Sequence, residues 1–225
     1  MSTTTPSSVA AERATPARRG PAHLATTVAV AAAGPLAIAA VRAILPYDTV
    51  DDPATIVTAV QAAPGPTSAV LWLVLVAALT LPLGVVIAGG LARRHRPVFG
   101  TVAAVVAWLG FVPIFAVAGL DQLGRAAGIA GLSVEQTVAV ATAMDSHPAA
   151  TLALGMFVVG HVLGAVLLGL ALWRVIPRWA AAALMVSQPM HFVFAIIVPN
   201  HALDALAWSL TAVGFAAAAL ATAER

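Results

Sequence analysis

The chain has no cysteine, no lysine, a single tyrosine and only 9% charged residues. Without cysteine there is no disulfide framework and no thiolate chemistry. The lean toward Ala, Val, Gly, Pro and Arg that accompanies the missing lysine reads as the bias of a GC-rich genome and carries no mechanism. No basic stripe interleaved with aromatics is present, which removes nucleic acid from the partners to consider. Also missing are His-Glu-x-x-His, two histidines four apart on one helix, and any Gly-spaced acidic loop of the kind that holds calcium.

What the chain does have is long apolar runs. Six blocks, about 24–45, 68–91, 98–120, 149–173, 179–198 and 202–221, each offer the roughly 17–25 residues that a helix rising ~1.5 Å per residue needs to cross a ~30 Å hydrocarbon layer. A helix in a soluble domain needs a wet face, and these have almost none. The predicted fold is therefore all-α, a polytopic bundle of six transmembrane helices spanning 23–225, with the lipid bilayer as its first partner.

Arginines give the bundle an orientation. Arg13, Arg18 and Arg19 precede the first block, Arg93, Arg94 and Arg96 join the second to the third, Arg174 and Arg178 join the fourth to the fifth, and Arg225 ends the chain. The alternate junctions hold Asp48, Asp51, Asp52, Asp121, Glu135 and Asp145, with only Arg42 and Arg125 near them. The positive-inside rule then sets both termini in the cytoplasm of a plasma-membrane protein. Residues 1–22, rich in Ser, Thr, Pro and Ala, read as a disordered cytoplasmic tail. Arg18-Arg19 is a weak match to a twin-arginine export signal, since five spans follow the first.

The two long junctions on the outer side carry helix signals. Asp52-Pro53 has the form of an N-cap followed by proline at the first helical position, opening a helix to about Ala63 that Pro64-Gly65-Pro66 ends. Ser133-x-x-Gln136 has capping-box spacing before a segment to Met144. Both read as short extracytoplasmic surface helices. The Asp48, Asp51, Asp52 group reads as a solvated turn rather than a cation site.

Within the spans polar residues are few. Arg42 is expected to snorkel to the interface, Asp121 and Arg125 to pair along one helix, and Trp72, Trp173, Trp179 and Tyr47 to anchor in the interfacial belt. Trp108 and Trp208 are expected between helices. His161 shares a helix face with Gly164, in a Gly160/Gly164 pair that admits a close neighbour, and so should point inward. On the fifth helix Ser187, Gln188 and His191 flank Pro189, which frees the carbonyl of Met185. On the sixth, His201, Asp204, Trp208 and Thr211 recur at three- and four-residue spacing and form one polar stripe.

Gln188, His191, His201 and Asp204, with His161 deeper and Asp121 and His147 at the outer level, are accordingly the candidate ligand-binding residues, expected to converge on an outer-side cavity. His191, His201 and Asp204 have the donor types for zinc or a proton relay, without a spacing that specifies a metal. Haem between His161 and His191 is disfavoured by depth, ~17 Å against ~10 Å from the outer helix ends at ~1.5 Å per residue. Pro82 and Pro189 sit in the middle helices of the two halves, the pattern of an inverted transporter repeat, but Pro113 has no counterpart and the flanking sequences do not match.

The stretch Gly160-His161-Val162-Leu163-Gly164, then Gly169-Leu170-Ala171-Leu172-Trp173-Arg174 and Ile176-Pro177-Arg178-Trp179-Ala180, resembles uncharacterised six-helix integral membrane proteins of actinobacterial type. The likeness covers about 149–198; it implies the same membrane architecture and transfers no catalytic residues. The functional expectation is a membrane protein that binds a small molecule or lipid in its outer-side cavity. The alternatives are an intramembrane metal- or haem-dependent enzyme or redox protein, and then a small transporter. Cofactor identity and oligomeric state have no signal in the sequence.

Overall fold

The computed structural model describes residues 20–223, and the expected N-terminal tail, apart from its last three residues, lies outside them. Of those three, Gly20 caps the first helix and the other two already belong to it. The helices are α1 (Pro21–Ile44), α2 (Pro53–Ala62), α3 (Pro64–His95), α4 (Pro97–Phe111), α5 (Ile114–Val117), α6 (Gly119–Ala130), α7 (Val134–Asp145), α8 (Pro148–Leu172), α9 (Arg178–Phe192) and α10 (His201–Ala223), with a π turn over Val193–Ile197. No strand occurs among the described residues.

Proline opens α1, α2, α3, α4 and α8, at a position whose N–H would be unbonded anyway. The expected caps form. Asp52 accepts from the amides of Ala54 and Thr55, and Ser133 and Gln136 bond reciprocally as a capping box. Gly131, at φ 72°, closes α6 in the left-handed conformation that glycine adopts without strain.

Two boundaries differ from expectation. Pro64-Gly65-Pro66 starts α3 as well as ending α2, because the first helical turn tolerates proline. The third apolar block does not run unbroken to residue 120: the α4 helix stops at Phe111, and Pro113, which has no N–H to continue the ladder, precedes the one-turn α5. The second long junction then folds as two helices, α6 and α7, rather than one.

Among the described residues six helices are long and apolar enough to cross a membrane: α1, α3, the α4–α6 run, α8, α9 with its π turn, and α10. They close into a ring in chain order. Each packs on the next, and α10 returns to pack on α1, while α3 reaches α10 and α8 across the middle. Leu79, Val98, Leu152, Val159 and Trp179 face outward on these spans. Water would make that surface costly and lipid makes it free, so the chain is a multi-pass membrane protein.

Glycine sets the tightest seam. A Cβ on Gly160 would sit 2.6 Å from the Cα of Gly110, and one on Gly164 would strike the backbone of Ala107, so α4 and α8 touch backbone to backbone. Beside this seam His161 turns inward at 2% exposure, as its spacing from Gly164 predicts. Trp108 does the reverse of its expectation: it is 42% exposed on the outer surface of the bundle, because the small residues Ala107 and Gly110 take the inward positions of α4.

Candidate functional site

Alternation of spans sets α1 and α10 antiparallel, so the last turn of α1 lies beside the first turn of α10. That register brings Arg42 onto Asp204. The Arg42 Nε–H donates to Asp204 Oδ2, and its Nη2–H donates to Thr49 Oγ1 at 2.7 Å. Arg42 is therefore buried, at 8% exposure, instead of snorkelling, because a buried carboxylate at its own level offers a better partner than the interface does. Helix ends favour the pair further. A cation ends α1 and an anion begins α10, each opposite the helix-dipole charge it stabilises. Asn200 caps α10 through the Leu203 amide, at 3.0 Å, which leaves the Asp204 carboxylate for the interior.

The second oxygen of Asp204 lies 2.5 Å from His191 Nδ1. The Trp208 Nε1–H points at the same nitrogen, at 3.0 Å. One ring nitrogen cannot serve both. Carrying a proton it donates to Asp204, and without one it accepts from Trp208, so a single proton decides which contact is made.

One turn further along α10, the Gln188 amide donates to Thr211 Oγ1 at 2.6 Å. His161 meets His191 with ring centroids 5.4 Å apart and lies parallel to the Trp208 ring at 6.2 Å. The fold thus brings together two histidines that the depth count holds apart. Phe157 stacks on His161 and Phe111 closes the remaining side. Thr49, Arg42, Asp204, His191, Trp208, His161, Gln188 and Thr211 thus form one polar column. Along α10, from Asp204 to Thr211, it covers about 10 Å, a third of the hydrocarbon thickness, near the end that carries α2, α6 and α7.

Among the described residues, two atoms in the column are buried without a hydrogen-bond partner: His161 Nε2 and Gln188 Oε1. His161 donates its Nδ1–H to the Phe157 carbonyl, which fixes the tautomer and leaves Nε2 with a lone pair. Turning the Gln188 amide over would exchange an unpaired acceptor for an unpaired donor.

His201 does not join this column. Its Nε2 bonds Asp48 Oδ1 at 2.9 Å, on the junction after α1, so the expected convergence of His191, His201 and Asp204 divides into two neighbouring pairs. Asp51 accepts from the Asp48 amide and Asp52 caps α2, so the three junction aspartates serve separate contacts. His147 caps α8. Asp121 takes the Tyr47 hydroxyl at 2.8 Å instead of pairing with Arg125, and Tyr47 is drawn into the bundle rather than anchoring in the belt. Burial, reinforced by the Asp121 charge, pushes ionisation of that hydroxyl far above the usual tyrosine range.

No group of three His, Asp or Glu side chains that could hold a metal occurs among the described residues. A cavity of about 930 Å³ lies elsewhere. It is an apolar groove on the outer surface of α4 and α8, lined by Val106, Leu109, Leu152, Met156 and Val159.

Sequence reasoning missed Arg42 and Thr49 as members of the site. The available signal was an arginine in the last turn of one span at the level of an aspartate in the first turn of another. No family model, curated protein or solved structure matches this chain.

Proposed function

We propose that the chain is a plasma-membrane protein with both termini cytoplasmic, whose outer half binds a small polar molecule at the column of Arg42, Asp204, His191, His161 and Gln188. The observation that carries this reading is the pair of unpaired buried atoms, His161 Nε2 and Gln188 Oε1. Each costs about 1–3 kcal/mol when left unpaired, and a compact hydrogen-bond donor such as an amine or hydroxyl relieves that cost. Intramembrane ionisable groups at this depth mark ligand or ion sites by default. Entry lies beside His191, where Pro189 and the π turn already interrupt the regular helix. Beyond His161, toward the arginine-bearing end, Leu168, Leu172, Leu184 and Phe215 fill the bundle, which favours binding over passage.

Two experiments test the reading. Reporters fused after Arg96 and after Arg178 should behave as cytoplasmic and one inserted near Gln61 as external; the reverse pattern overturns the orientation. Trp208 touches the site, so its fluorescence, isolated by comparison with Trp208→Phe, should respond saturably to methylammonium or ethanolamine in nanodiscs and lose that response in His161→Phe. A linear or absent response in the native protein overturns the site.

A metal-dependent reading is favoured by one feature. Both histidines carry a partner on Nδ1, a carbonyl for His161 and a carboxylate for His191, as metal-ligating imidazoles usually do. Metal analysis and a visible absorption spectrum of the purified protein distinguish it from binding of an organic amine.

A further inference from the structure

On the other face of the bundle, where the start of α3 meets α5 and α6, a cleft of about 390 Å³ is lined by Ser68, Leu71, Trp72, Leu75, Phe115, Gln122 and Arg125. Its composition is graded. Ser68 stands one turn into α3, Trp72 and Leu75 one and two turns deeper, so the cleft runs from polar to apolar along the membrane normal. Gln122 and Arg125 come from α6 on the polar side, Leu71, Leu75 and Phe115 form the apolar side, and Trp72 stands 68% exposed at its edge.

Arg125 lacks an anion. Its i−4 neighbour, Asp121, is turned away into the bundle and held by Tyr47. No ion pair reaches Arg125 among the described residues, and its Nε is buried without a hydrogen-bond partner. A guanidinium with an unsatisfied N–H at the edge of the hydrocarbon layer calls for a charge-assisted acceptor, and its planar fork matches two phosphate oxygens. Gln122 and Ser68 supply further neutral donors. Below them the apolar wall suits an acyl chain, and Trp72 occupies the headgroup level that tryptophan prefers.

We infer that this cleft is a binding site for an anionic phospholipid of the leaflet facing α2, α6 and α7, with its phosphodiester on Arg125 and one acyl chain along Leu71, Leu75 and Phe115. The site is separate from the polar column, and its occupant is a membrane lipid rather than a soluble solute.

Trp72 supplies the readout. The full chain is placed in phosphatidylcholine nanodiscs containing a small fraction of phosphatidylglycerol with dibrominated acyl chains, and quenching of Trp72, isolated by comparison with Trp72→Phe, is measured against dibrominated phosphatidylcholine at the same fraction. The native protein should show at least about a five-fold preference for the anionic lipid, consistent with one headgroup-level cation contact. Arg125→Gln should abolish that preference and Arg125→Lys should retain part of it, while both keep the thermal midpoint of the native protein. Equal quenching by the two lipids, or a preference unchanged in Arg125→Gln, overturns the proposal. Displacement by millimolar glycerol 3-phosphate also overturns it, because the site would then read a free phosphate and not a lipid.

Discussion

Asp204 and Asp52 are the same side chain at the start of a helix, one in the bundle and one outside it, and they do different work. Asp52 is exposed and bonds residues two and three ahead of it, the amides of Ala54 and Thr55 and the Thr55 hydroxyl. Asp204 is fully buried and bonds Arg42, 162 positions away in the chain, and His191 on the preceding helix. Water competes for every partner of Asp52 and far less for those of Asp204. Exposed, the carboxylate shapes one short helix. Buried, it ties α1, α9 and α10 together, and its loss strands two other polar groups.

The largest effect should come from breaking that tie. Replacing Asp204 by Leu, or Arg42 by Met, leaves a charge buried without its partner and should destabilise the folded bundle by about 3–5 kcal/mol, measured by denaturant unfolding in bicelles. The double variant Arg42→Met, Asp204→Leu should recover much of the loss, because no orphaned charge remains. Additive losses in that cycle would mean that the two residues do not act as a pair, and the contrast with Asp52 would fail.

The same contrast explains what could be read from the chain. The Asp52 cap, the Ser133/Gln136 box, the spans and the inward face of His161 all follow from residues at most a few positions apart, or from the mean character of about 20 consecutive residues, and such patterns need no knowledge of the ring of helices. The polar stripe on α10 was legible for that reason too. Its partners on α9 were expected, but its partner on α1 was not. Whether Asp204 meets Arg42 or His201, and whether Asp121 meets Arg125 or Tyr47, depends on which spans are neighbours and on their tilt, and helical spacing alone favoured the wrong partner in both cases. Trp108 was misplaced because its immediate neighbours are all apolar or small, so no periodicity distinguishes the lipid side of α4 from the packed side.

Packing positions the column, and a second substitution separates that contribution from polarity. Gly164→Leu would drive a side chain into the backbone of Ala107 and push α4 away from α8, displacing His161. It should cost about 1–3 kcal/mol, whereas Leu167→Ala, at a half-buried position, should cost less. Equal tolerance in a thermal-stability assay would show that His161 is held by its rings and Phe157 alone.

A smaller effect should appear at the inner end of the column, where no charge is involved. Thr211→Val removes the hydrogen-bond partner of the Gln188 amide and should cost about 0.6–2 kcal/mol, within the range found for hydrogen bonds inside membranes. Gln188→Leu removes the whole polar group, including its unpaired oxygen, and should be close to neutral. If Gln188→Leu is the more harmful of the two, the glutamine has a partner that protein side chains do not supply, which strengthens the case for a bound solute.

The smallest effect belongs to Asp52, and pH reveals it. The Thr55 hydroxyl, then the backbone amides, hold the Asp52 carboxyl below its ordinary value of 3.8. A depressed carboxylate contributes its stability above the unfolded value and loses it as pH falls through the folded one, so the cap should weaken only in acid. Hydrogen exchange at the amides of α2, normalised to intrinsic rates, should accelerate below that value, while the unfolding midpoint of the bundle moves little because α2 is fastened separately by Ile56, Val57 and Val60. Asn caps about as well as Asp but does not titrate. Asp52→Asn should therefore keep α2 protection flat across the same pH range. An acid-dependent loss that persists unchanged in Asp52→Asn would assign it to another group, and the exposed aspartate would then contribute nothing that distinguishes it from a neutral cap.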